Sequence, residues 1–120
     1  MANRRKTIFC DIDGTLIKHF PPSITAKNKH SIKPLKGTLD KFLQWEREGH
    51  CIVLITARKE CTRNQTEKQL ANAGIFYDNL IMGIGSGERY LINDKKIDSD
   101  ADTAFAINIA RNQGIADVSI

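Results

Sequence analysis

With 120 residues, 41% hydrophobic and 27% charged, the chain has the size and composition of one globular domain. No apolar stretch approaches the roughly 20 residues of a membrane span, and Asp11 breaks the run after Arg4, Arg5 and Lys6 too early for a secretory leader. The net charge of +4 is uneven: residues 1–36 carry eight Lys or Arg against Asp11 and Asp13, a bias that suits a phosphorylated or nucleic-acid partner but is explained at least as well by a solvated surface.

Thr7–Ile12 is a continuous apolar run ending in acid, the pattern of a strand buried on both faces. Residues 18–36, with Pro21, Pro22 and Pro34, read as a loop. Leu39, Phe42, Leu43 and Glu46 share one face of a helix predicted to start near Thr38 and stop at Gly49, with Trp45 as a packing residue. Cys51–Ile55 is a second apolar strand, followed by Thr56-Ala57-Arg58 and a polar helix over 62–73 that Gly74 closes. Asn79–Met82 reads as a third strand and Tyr90–Ile92 as a fourth, ending in Asn93-Asp94. Residues 101–112 are apolar nearly all round and predict a buried helix ended by Gly114, with 118–120 as a fifth strand. Cys10, Cys51 and Cys61, without CxxC spacing, predict a reduced, cytoplasmic protein with Cys10 and Cys51 in the core, while His19, His30 and His50 are expected at the surface.

Strands alternating with helices predict an α/β fold on a mostly parallel sheet, whose ligands bind beyond the carboxyl ends of the strands. Asp11 and Asp13 follow the first strand, Thr56 and Arg58 the second, and Asn93 and Asp94 the fourth, so all fall on one rim. Two carboxylates side by side repel unless a cation or a shared proton holds them. Carboxylates without histidine or cysteine at ligand spacing make an oxygen-rich site of the kind Mg²⁺ prefers. The Thr15 and Thr56 hydroxyls, the backbone N–H groups around Gly14 and the Arg58 fork complete an anion-binding set. Cation, carboxylates and phosphate donors together point to phosphoryl transfer.

"DIDGTL" (Asp11–Leu16) resembles the first motif of the haloacid dehalogenase (HAD) superfamily of phosphohydrolases, "LITAR" (Leu54–Arg58) its second, and "LINDKKID" (Leu91–Asp98) its fourth, acidic motif. The resemblance implies a single HAD-like hydrolase domain over 1–120, a Rossmann-like core with strand order 3-2-1-4-5 flanked by helices. It implies Asp11 as nucleophile, Asp13 as general acid and base, and Thr56 as a hydrogen-bond partner of the transferring phosphoryl. Mg²⁺ would be held by Asp11, the Asp13 carbonyl and Asp94, with Asp98 behind them. Gly14, Thr15 and Arg58 would bind the substrate phosphate.

The family's third motif is a lysine, and residues 83–89 contain none. Arg89 replaces it by charge, but as the start of a fourth strand it is expected at the far rim, so Lys95, beside Asp94, is the better-placed substitute. The chain has no room for a cap domain between its motifs, which implies an open site for a sugar phosphate, a nucleotide or a nucleic-acid end, and allows a homo-oligomer. Two functions follow: a Mg²⁺-dependent phosphatase working through an aspartyl-phosphate, or a non-catalytic phosphate-sensing or partner-binding module on the same fold.

Overall fold

The computed structural model describes residues 4–20 and 32–120. Most of the proline-containing loop, with Pro21, Pro22 and His30, lies outside the described residues. Three parallel strands, β1 (Thr7–Asp11), β2 (Cys51–Ile55) and β3 (Asn79–Ile81), form an open sheet in the order β1-β2-β3. Helix α1 (Thr38–Arg47) links the first two strands, and a 3-10 turn (Glu60–Thr62) leading into α2 (Arg63–Asn72) links the next two. This is an α/β architecture and corresponds to the 3-2-1 half of the expected order. Among the described residues no helix is long and apolar enough to cross a membrane.

Register explains the core. Phe9 pairs with Val53 and Val53 in turn with Asn79, while Asp11 pairs with Ile55 and Ile55 with Ile81. Alternation then puts Ile8, Cys10, Ile52, Leu54 and Leu80 on the opposite face of the sheet. That second face is packed: Cys10, Ile52, Leu54 and Leu80 share one buried cluster with Phe42 and Trp45 of α1 and Leu70 of α2. Both crossovers step in the same direction along the sheet, so a common hand places both helices on one side. The other face is less covered, and Phe9 remains 50% and Ile81 44% exposed. β1 is therefore not buried on both faces, contrary to the expectation from its apolar run.

Helix α1 uses Thr38, Phe42 and Trp45 as its buried stripe, whereas Leu39 and Leu43 are exposed. The expected stripe was rotated by about one residue, because Thr38 Oγ1 donates to the Leu16 carbonyl, 3.0 Å away, and draws the helix start inward. Gly49 and Gly74 follow the two helices with φ of 81° and 79°, the left-handed geometry that ends a helix. His50 is buried, not exposed: its Nδ1 accepts the Lys6 N–H at 2.9 Å, leaving Nε2 to face Glu48.

Beyond Gly83 the structure departs from the sequence reading. Residues 90–92 and 118–120 are not strands, and 101–112 is not a helix. Residues 85–102 are exposed throughout, forming an arm in which Thr103 Oγ1 donates to the Asp94 carbonyl and Asn93 Nδ2 to Thr103 Oγ1. The radius of gyration is 15.3 Å, against about 13–14 Å for a compact domain of this length. The chain returns at 109–115 to brace the loop after β1: Asn112 N–H donates to the Gly14 carbonyl, and Ile115 N–H to that of Lys36.

Candidate functional site

The loop Ile12–Ile17 after β1 closes on itself. The N–H groups of Thr15, Leu16 and Ile17 all point to the Ile12 carbonyl at 2.9–3.2 Å, and Gly14 N–H donates to Ile17 at 2.7 Å. Gly14 takes φ 87°, which lets the turn reverse so tightly. The Gly14 and Thr15 amides are thus engaged within the loop, so the expectation that they cradle a phosphate is not met in this conformation.

Asp11 and Asp13 emerge at the two ends of Ile12, and each meets its own arginine. Arg58, from the loop after β2, grips Asp13 through two parallel bonds: Nε to Oδ2 at 2.9 Å and Nη2 to Oδ1 at 2.8 Å. The guanidinium is fixed from behind by Thr66 and Gln69 of α2, at 3.1 and 2.7 Å from Nη1. Arg58 was expected to bind substrate phosphate; its fork is instead filled by a carboxylate. Each of the two neighbouring carboxylates thus faces a guanidinium group of the same chain.

Arg89 Nη1 lies 3.0 Å from Asp11 Oδ1. This reverses the expectation that Arg89 would stand at the far rim. Thr15 Oγ1 is 3.5 Å from the other Asp11 oxygen. Thr56 is buried below the rim, and its hydroxyl accepts the Arg58 N–H at 3.1 Å. The Cys10 thiol, next to Asp11, is pushed up to about 12, first by burial and then by the Asp11 charge.

Lys95, Asp94 and Asp98 do not join this site within one chain. Lys95 Nζ sits 3.7 Å from Asp102, and Asp98 occupies a turn with φ 64°, both out on the exposed arm. Their expected positions presupposed a fourth strand beside β1, which the chain does not form. Among the described residues no group of three or more His, Cys, Asp or Glu could hold a metal ion. With Asp94 elsewhere and both loop carboxylates in arginine pairs, a single chain does not assemble the donor set that Mg²⁺ was expected to use.

An open cleft of about 190 Å³ lies over the loop, lined by Asp11, Asp13, Gly14, Thr15, Ile109 and Arg111. That is below the roughly 300–1,000 Å³ of pockets that enclose a whole small molecule. It suits a phosphoryl-sized head whose remainder stays outside. Arg111, absent from the sequence reading, arches over Gly14 so closely that a methyl group added at Gly14 would stand 3.2 Å from its Cγ. Its neighbour Asn112 holds it there, with φ 64° and a side-chain oxygen that accepts the His19 N–H at 2.7 Å. Thr66 and Gln69 were also missed; their only signal was polarity on a helix face that packs inward. Comparison with protein-family models, with curated proteins and with solved structures returns no match.

Proposed function

We propose that the protein is a phosphohydrolase of the HAD type, transferring the phosphoryl group of a phosphomonoester to Asp11 and then to water. The observation that carries this reading is the unequal treatment of the two carboxylates in the D-x-D-G-T loop. Asp13 has both oxygens held by Arg58 at 2.8 and 2.9 Å, whereas Asp11 has Oδ1 on Arg89 and Oδ2 only at 3.5 Å from the Thr15 hydroxyl, with 32% of its side chain exposed against 20% for Asp13. Oδ2 of Asp11 is the less firmly held oxygen and the one available for attack on phosphorus. Arg89 and Arg111 flank the position where the phosphoryl oxygens gather charge, a task in which guanidinium groups excel. Thr15 adds a hydroxyl donor beside it, and Thr56, buried below the rim, would have to turn its hydroxyl from Arg58 to do the same. Asp13, as general acid and base, would have to exchange part of its grip on Arg58 for the leaving oxygen.

The residue types of the family's metal motif are present in Asp94 and Asp98, and Mg²⁺ remains part of the proposal through them. Within one chain they stand apart from Asp11, so no step is assigned to the ion here. A small open cleft and a basic N-terminal third favour a substrate whose bulk lies outside the site, such as a nucleotide or a nucleic-acid end, with a sugar phosphate as the smaller candidate. The three free cysteines, without CxxC spacing, favour a reduced, cytoplasmic setting for the protein.

One observation favours a second reading. A closed Arg58–Asp13 pair occupies the residue that should shuttle protons, which suits a phosphate-sensing or partner-binding module that has lost turnover. Hydrolysis of p-nitrophenyl phosphate with Mg²⁺, by wild type and by Asp11→Asn, separates the two. The phosphatase reading expects turnover in wild type and a loss of at least about 10³-fold in Asp11→Asn. Equal rates would remove Asp11 from the chemistry. A panel of phosphorylated metabolites and end-labelled oligonucleotides would then identify the substrate class.

A further inference from the structure

One chain carries two surfaces that fit each other but do not meet. The first is the outer edge of β1, which among the described residues pairs with β2 on one side only, together with the sheet face where Phe9 and Ile81 are exposed. An open edge presents a row of unpaired N–H and C=O groups. The second is the arm: Tyr90, Leu91 and Ile92 have the composition of a strand, yet Ile92 is 93% and Phe105 77% exposed.

The arm is held where it cannot satisfy its own β1. Gly83 N–H donates to the Arg58 carbonyl and Ile84 N–H to that of Thr56, which keeps the link at the carboxyl rim of the sheet. Arg89 is then tied to Asp11, the last residue of β1. A parallel neighbour of β1 must begin beside Thr7, about 13 Å back along the strand at roughly 3.3 Å per residue. Tyr90 therefore starts at the rim where such a strand should finish, and the arm runs outward.

We propose that two copies of this chain exchange residues 90–108, Arg89 staying on its own Asp11 and Tyr90–Ile92 of each adding as a parallel strand to the open edge of β1 in the other. A partner's arm arrives from outside and is free of the tether that excludes the chain's own. The exchange is reciprocal, so a two-fold dimer fills the β1 edge of both copies through one repeated contact. Phe105 and Ile107 of each arm then cover Phe9 and Ile81 of the other copy. Each sheet becomes four-stranded with the order 3-2-1-4, the fourth strand coming from the second copy. A further consequence rests on the phosphatase reading: the strand that ends in Asn93-Asp94 brings the second copy's Asp94 to the tip of β1, beside Asp11.

Sedimentation equilibrium of the full chain tests the exchange without reference to activity. A dimer is expected, and Ile92→Lys should weaken its association at least about tenfold while circular dichroism stays unchanged, because Ile92 touches solvent in a single copy. Phe105→Lys should do the same and guards against a folding fault peculiar to one variant. A monomer at all concentrations, including one that Ile92→Lys destabilises by disturbing closure within the chain, overturns the proposal. So does a dimer indifferent to both substitutions. If the dimer holds, mixing Asp11→Asn with Asp94→Asn chains should restore about a quarter of wild-type turnover, since half the dimers are mixed and each has one intact site. A substitution-sensitive dimer with no turnover in any combination upholds the exchange and removes the phosphatase reading instead.

Discussion

Arg58 and Asp13 form a bidentate ion pair, with bonds of 2.9 and 2.8 Å, that ties the loop after β2 to the loop after β1. Only 9% of the arginine side chain and 20% of the aspartate side chain reach solvent. Removing one partner of such a pair strands the other in a poorly hydrated place, which costs more than the pair itself contributes. Arg58→Ala should lower stability by about 2–3 kcal/mol, the range for charged hydrogen bonds lost at a partly buried site. Arg58→Lys should cost less but not nothing, because an ammonium cannot fill both carboxylate oxygens. Urea unfolding of both variants measures the difference.

The pair Arg89–Asp11 makes a single contact of 3.0 Å and is more exposed, with about a third of each side chain in solvent. Exposed pairs contribute about 0–1 kcal/mol. Arg89→Ala should therefore leave the urea midpoint nearly unmoved and, on the proposed phosphatase function, reduce turnover about 10²-fold, the scale for losing one charge-stabilising donor. The contrast with Arg58 is the informative result, and parallel unfolding and turnover assays supply it.

Two chain segments cross at Gly37 and Gly114. A Cβ on Gly114 would lie 2.2 Å from the Lys36 carbonyl oxygen, and one on Gly37 would lie 2.4 Å from the Ala116 backbone. Both glycines also take φ near 85°. Gly114→Ala or Gly37→Ala should cost at least about 2 kcal/mol, combining left-handed strain with a clash against backbone. Gly85→Ala, with nothing within 4 Å, should change stability by less than about 0.5 kcal/mol. Thermal melts of the three variants rank them.

Burial raises the Cys10 thiol from 9.0 to about 12. The folded state holds this proton more tightly than the unfolded chain, so the associated stability is fully present below pH 9.0 and is lost as pH rises toward about 12. Iodoacetamide at pH 8 should modify exposed Cys61 and spare Cys10, since the thiolate is the reactive form. Mass mapping of the alkylated peptides checks this, and unfolding at pH 8 and pH 10.5 should show the decline.

The first three strands and both helices were legible because their limits are marked: Cys51–Ile55 is a wholly apolar run, and Gly49 and Gly74 mark where the helices end. The acidic loop was legible as a site because Asp11 and Asp13 follow an apolar run directly. What misled was the region after Gly83. Residues 101–112 are apolar nearly all round, but a helix of that length is marginal unless something covers it, and the described residues of one chain supply no cover. Tyr90–Ile92 has the right residues for a strand, yet a strand needs an edge within reach. Arg89 was placed at the far rim by assuming that strand; its bond to Asp11 follows once the strand is absent. The Arg58–Asp13 pair was not legible, because a guanidinium suited to phosphate is equally suited to carboxylate.

Trapping a phosphoryl group on the protein tests the central claim most directly. Acid-quenched protein from a turnover reaction, digested and mapped by mass spectrometry, should carry one acid-stable, base-labile phosphoryl group on Asp11, and none in Asp11→Asn. Turnover with no such adduct under rapid quenching, or an adduct on Asp13 or elsewhere that survives Asp11→Asn, would contradict the account.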